Sequence, residues 1–249
     1  TQKSEASICV GKLHNSYLYL LNYRYKGMSM SNNQPKIMTH EARCGVRLNY
    51  VIFPIDFRDL RHALAKNGYE LSPVGLLPSP PARISFGGDV ARKGETTVIA
   101  ESDSGEIGVV GRSLQEVKDS FEELANIIDS ELGISLHENV RFYWYVVHYK
   151  VDTGKIPRNE IAKVENKEYI AQFSQILGED LSSFSIRLVP KDAIPNQENW
   201  FDIAIEPDVM SEKLYHVGVV FRTPDRGKTE TFVRDLENTL LKLIEVIEE

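Results

Sequence analysis

Asn139-Val140-Arg141-Phe142-Tyr143-Trp144-Tyr145-Val146-Val147-His148-Tyr149-Lys150-Val151 is the stretch on which the fold turns. Successive side chains of a strand point to opposite faces. One face therefore reads Arg141, Tyr143, Tyr145, Val147 and Tyr149; the other reads Phe142, Trp144, Val146 and His148. Both are largely apolar or aromatic. A strand covered on one side alone normally alternates apolar with polar residues. Either this strand is central and covered twice, or its second face is an aromatic binding surface.

Working outward, the stretch opens the second of two similar successions. It is followed by a helical region at 157–177, strand runs at 184–190, 200–207 and 214–223, and a closing helix at 231–248. Upstream, Asn49-Tyr50-Val51-Ile52-Phe53 opens the first succession as an apolar strand run. A helical stretch at 59–67, strand runs at 82–87 and 96–111, and a helix at 113–132 complete it. Each reads β-α-β-β(β)-α. The expectation is an α+β protein of two pseudo-symmetric repeats, 46–135 and 136–249, packed as one body. They would form a curved antiparallel sheet with helices on one side, and the joint would offer a groove to a partner. Residues 1–45, rich in Ser, Asn and Tyr and without a sustained period, read as an irregular or flexible arm.

The two closing helices are the clearest local signals. Ser113-Leu114-Gln115-Glu116 fits a capping box, in which the Ser hydroxyl accepts from the N3 amide. Leu114, Val117, Phe121, Leu124, Ile127, Ile128 and Leu132 follow at helical spacing, and Gly133 is placed to stop the helix. Phe232, Val233, Leu236, Leu240, Leu243, Ile244 and Ile247 repeat the design at the end of the chain.

Composition bounds the function. With 249 residues, 42% hydrophobic and 26% charged, the chain can bury a sizeable core. It contains no apolar run of membrane-spanning length and no expected signal peptide. Two cysteines, Cys9 and Cys44, supply neither a disulfide framework nor metal-ligand spacing, so a cytoplasmic, reducing setting is expected. Residues 1–45 hold six basic and two acidic residues, leaving 23 basic and 34 acidic in the rest, a net of −11. That balance argues against broad, sequence-independent contact with phosphates, though not against a local basic or neutral face.

Lys93 to Gly133 resembles the repeat of the TATA-binding-protein family. The carrying residues are Thr96-Thr97-Val98-Ile99, the turn Ser104-Gly105-Glu106-Ile107, and Val109-Val110-Gly111-Arg112-Ser113. Asn49 and Asn139 match the Asn that the family places early in the first strand of each repeat. The resemblance implies a sheet face that binds DNA, and a role in transcription or DNA transactions. In that family paired Phe side chains wedge into base steps. Phe86 in the first succession, and Phe184 or Phe221 in the second, would be the counterparts. Where the family has Phe before the Ser-Gly turn this chain has Ala100-Glu101-Ser102-Asp103, and Glu106 replaces a usual Lys. The second succession lacks both the Ser-Gly turn and the strand-end Gly.

The expected contact residues are Asn49, Arg83, Asn139, Arg141, Tyr143, Tyr145 and Arg187, offering stacking, minor-groove hydrogen bonds and phosphate contacts. Asp202 and Glu206 share a strand face and are candidates for a hard cation, with no nearby His or Lys expected to complete a catalytic set. His148 and His216 could meet across neighbouring strands. Phe86-Gly87-Gly88-Asp89 reads as a tight turn. No nucleotide, dinucleotide or zinc motif is present, and no cofactor is expected. The preferred reading is a non-enzymatic binding protein whose partner is DNA or a protein of the transcription machinery. The rivals are an acidic protein-interaction scaffold and a metal-dependent hydrolase or nuclease built on Asp202 and Glu206.

Overall fold

The structure is a computed structural model that describes residues 35–73, 87–192, 194–195 and 197–249. The chain first runs β1 (Lys36–Leu48), α1 (Phe57–Lys66), β2 (Glu70–Leu71), β3 (Gly87–Lys93), β4 (Thr96–Glu101), β5 (Glu106–Gly111) and α2 (Leu114–Leu132). It continues through β6 (Val140–Asp152), α3 (Pro157–Ile161), α4 (Lys167–Leu177), β7 (Ile186–Leu188), β8 (Trp200–Asp208), β9 (Ser211–Thr223) and α5 (Arg226–Glu248). The described strands form one open antiparallel sheet of nine, ordered β2-β3-β4-β5-β1-β6-β9-β8-β7. The fold is α+β, with five helices among the described residues. None of them is long and apolar enough to cross a membrane.

The helices form where their caps and apolar stripes dictate. Ser113 accepts from the Glu116 amide at 3.4 Å, and Gly133 closes α2 at φ 66°, a left-handed conformation that a side chain would strain. α5 starts earlier than its apolar stripe suggests, because Asp225 caps the Lys228 amide at 3.0 Å. Both helices lie on one sheet face. Cys44 donates to the Val117 carbonyl of α2, Thr96 shares a hydrogen bond with Ser120, and Phe221 stacks on Phe232 of α5 at 3.9 Å. Ala42, Cys44, Val46, Val109, Val147, Tyr149, Ile205, Tyr215 and Val217 are buried beneath them. Each large apolar side chain withdrawn from water there contributes about 1.5–3 kcal/mol.

Three expectations need correction. Residues 36–45, read as part of an irregular arm, belong to β1, which pairs with β5 on one side and β6 on the other. Within residues 36–45 its helix-facing covered positions are the small Ala42 and Cys44, separated by Arg43, and a register shift between Thr39 and Glu41 breaks the alternation. Conversely, Asn49 to Phe53 is not a strand. The ladder ends with Leu48 donating to Gly105 and Asn49 to Asn139, both at 2.8 Å, after which Val51 is 100% and Ile52 71% exposed. Gly87, Gly88 and Asp89 open β3 with a register shift at Asp89/Ala91 instead of forming a tight turn. Arg83, Phe86 and the rest of the expected strand run 82–86 lie outside the described residues.

Candidate sheet-face binding site

The face of the sheet opposite α2 and α5 is built by the register. Following cross-strand partners, Trp200 on β8 opposes Arg222 on β9, Arg222 opposes Trp144 on β6, Trp144 opposes Gly45 on β1, and Gly45 opposes Gly108 on β5. This single rung crosses five strands. Neither glycine adopts a positive φ, so space explains them. A Cβ at Gly45 would meet Trp144 Cζ2 at 2.6 Å, and one at Gly108 would meet Trp144 Cζ2 and Cη2 at 2.9 Å. The indole therefore lies flat across β1 and β5, on bare backbone.

Beside the rung, Phe142 is 6% exposed and sits between two guanidinium groups, Arg47 at 5.8 Å and Arg222 at 5.5 Å from its ring centre. Arg47 and Arg222 make no ion pair among the described residues. Arg222 Nε and Nη2 and Trp144 Nε1 are buried and find no acceptor there. Such donors carry a penalty of about 1–3 kcal/mol until an acceptor arrives. Glu106, opposite Arg47, is the nearest carboxylate in the register. Burial raises its carboxyl above the ordinary value, Arg47 pulls it back, and Glu101 adds to the rise. Burial lowers Arg222 from the ordinary guanidinium value, with Glu106 acting against that. The arrangement suits an anionic ligand with a flat ring.

Higher on the same face the histidines meet. His148 Nδ1 lies 3.2 Å from His216 Nε2 with the rings nearly parallel, and His216 Nδ1 lies 3.1 Å from Glu206 Oε1. A carboxylate only accepts, so the shared proton belongs on His216 Nδ1. His216 Nε2 then accepts from His148 Nδ1, and His148 Nε2 keeps its lone pair. Burial, then His216, holds His148 below the ordinary imidazole value of 6.5. Lys150 pairs with Asp208 at 3.0 Å, with side chains only 15% and 5% exposed. The Glu206–His216–His148 relay can hold or pass a proton. Sequence spacing does not show that β9 brings His216 to Glu206; only the β8–β9 register does.

The remaining expected residues are scattered. Asn49 and Asn139 are exposed at one end of β1 and β6, joined through their backbones. Arg141 is exposed and paired with Glu198 at 2.9 Å. Tyr143 and Tyr145 point the other way, under the helices. The Tyr143 hydroxyl lies 3.3 Å from His137 Nδ1 and its phenol is pushed up by burial, while Tyr145 opposes Cys44. They are not on the open face, and Phe142 and Trp144 are. Arg187 is on the open face at the β7 edge, with its Nε 2.9 Å from Asp202. Asp202 and Glu206 share that face as expected, yet each already faces a basic group, Arg187 and His216. No group of three or more His, Cys, Asp or Glu among the described residues is placed to hold a metal ion. Phe221 packs on Phe232 beneath α5, and Phe184 is exposed just ahead of β7. No known protein family and no curated protein matches the chain.

Proposed function

We propose that this chain is a non-enzymatic binding protein of TATA-binding-protein-like architecture that engages nucleic acid on the open sheet face, in transcription or DNA transactions. The strand order supports the duplicated unit behind that reading. β1 and β6 meet at the centre, and outward from them come β5 and β9, then β4 and β8, then β3 and β7. Each half closes on its longest helix, α2 or α5. The observation that carries the function is the rung Trp200–Arg222–Trp144 with Arg47 and Phe142 beside it. Aromatic planes next to under-neutralised arginines are what bases and phosphates require. On that face Arg43, Lys150 and Arg187 are each paired with a carboxylate, Glu41, Asp208 and Asp202, which leaves Arg47 and Arg222 as the cations without an ion pair among the described residues, although the chain beyond residue 45 is strongly acidic.

The test is a fluorescence-anisotropy titration of the full chain with labelled duplex and single-stranded DNA, at low and physiological salt. Saturable binding that weakens with salt and in Arg222→Gln, and persists in Arg141→Ala, is expected. Absence of binding even at low salt refutes the reading, and the acidic surface then belongs to a scaffold for a basic protein.

A further inference from the structure

Resting on that nucleic-acid reading, we infer that the open face takes single-stranded nucleic acid, one base stacked on Trp144 and the adjoining phosphate on Arg222 and Arg47, and does not bend a duplex. Bending by a sheet needs apolar side chains that stand proud and enter a base step. Among the described residues, the aromatics that the central rung places on this face cannot do so. Trp144 lies down on Gly45 and Gly108, Phe142 is pinned between Arg47 and Arg222, and Trp200 is 9% exposed. Phe221 is spent on α5, on the other face.

A flat, partly exposed indole is instead a platform. It offers a π-face to a single unpaired base, and any base will serve because all have one. The cations agree. Arg47 on β1 and Arg222 on β9 flank one aromatic group, only two strand spacings apart, or about 10 Å. A duplex presents two phosphate rows and a longer footprint. Toward β4 that footprint would meet Glu101 and Glu106, which oppose each other across the β4–β5 ladder. Toward β7 it would find Arg187 already held by Asp202. One cationic spot beside one platform fits one strand.

The chain has two tryptophans, so Trp200→Phe keeps an aromatic ring in the rung and leaves Trp144 as the sole tryptophan emitter. Titrating the unsubstituted chain with short oligo(dT), and with a duplex of equal length, measures the two affinities, and titrating Trp200→Phe with the same ligands assigns any quenching to Trp144. The expected result is saturable quenching of Trp144 by the single strand, an affinity for it roughly tenfold or more above that for the duplex, and a loss of roughly tenfold in Trp144→Leu. Should Trp144→Leu fail to fold, the quenching in Trp200→Phe decides alone. Tighter binding of duplex, or binding without quenching, overturns the single-strand inference and leaves nucleic-acid binding standing. Binding of neither overturns both.

Discussion

Replacing Gly45 with Ala tests the physical basis of the platform. Two effects compete. Where the backbone angles suit any residue, Gly→Ala stabilises by about 0.4–1 kcal/mol by restricting the unfolded chain. Against this, the new methyl would sit 2.6 Å from Trp144 Cζ2 and 2.7 Å from Gly108 Cα, and closer still to the Ile107 carbonyl oxygen. Favourable carbon contacts lie near 3.5–4.0 Å. Two of the three obstacles are backbone of β5, and β1 is hydrogen-bonded on both sides, so the strands must part by about 1 Å or the indole must lift. Overpacking of this kind costs about 1–3 kcal/mol, and the backbone clash places Gly45→Ala at the upper end. Net destabilisation of about 2 kcal/mol lowers the melting temperature by about 4–8 °C in a chain of this size. Circular-dichroism melting measures the loss, and tryptophan emission in a Trp200→Phe background reports whether Trp144 has left the sheet. A variant that melts at or above the parent temperature, with unchanged emission, would refute the cradle argument.

The histidine patch sets a pH dependence. Burial and His216 depress His148, and burial and then Lys150 depress His40, so the unfolded chain takes up these protons first. The stability they contribute is complete above 6.5 and is lost as pH falls from there through the native values. Urea midpoints across that window should decline, and less steeply in His148→Gln, where Glu41, Arg43, His40 and His216 no longer face a titrating ring. Breaking the Lys150–Asp208 pair with Lys150→Met should cost about 3 kcal/mol by depriving a buried carboxylate of its partner, and adding Asp208→Asn should recover most of it. By contrast, α4 buries no residue, and Ile176 is 76% exposed, so Ile176→Lys should shift stability by less than about 0.5 kcal/mol in the same denaturation assay.

The parts of the fold legible in the sequence are those whose signal is local. The capped stripe of α2, the apolar stripe of α5, the β4–β5 hairpin around Ser104-Gly105, and the long strands β6 and β9 each carry their own evidence. β1 does not, because over residues 36–45 its helix-facing buried positions are the small Ala42 and Cys44 set among charges, Val46 and Leu48 come only at its end, and its identity depends on two partners distant in sequence. The facing of β6 is also undecidable locally. Tyr143 and Tyr145 are nearly as apolar as Phe142 and Trp144, and only the pairing of Trp144 with Gly45 shows which set faces away from the helices. Likewise Arg187 and Asp202 stand out separately in sequence, as a contact and a metal candidate, although the β7–β8 register makes them partners. His148 and His216 meet as their strand positions suggest, while Glu206 joins them only through β8–β9 pairing.

The most direct test of the central claim is to map whether, and where, nucleic acid touches the sheet. Photo-cross-linking with a 5-iodouracil-substituted oligonucleotide, followed by peptide mass spectrometry, should place the adducts on the β6 and β9 peptides that carry Phe142, Trp144 and Arg222. Adducts confined to the helix-covered side, on α2 or α5, would contradict the account.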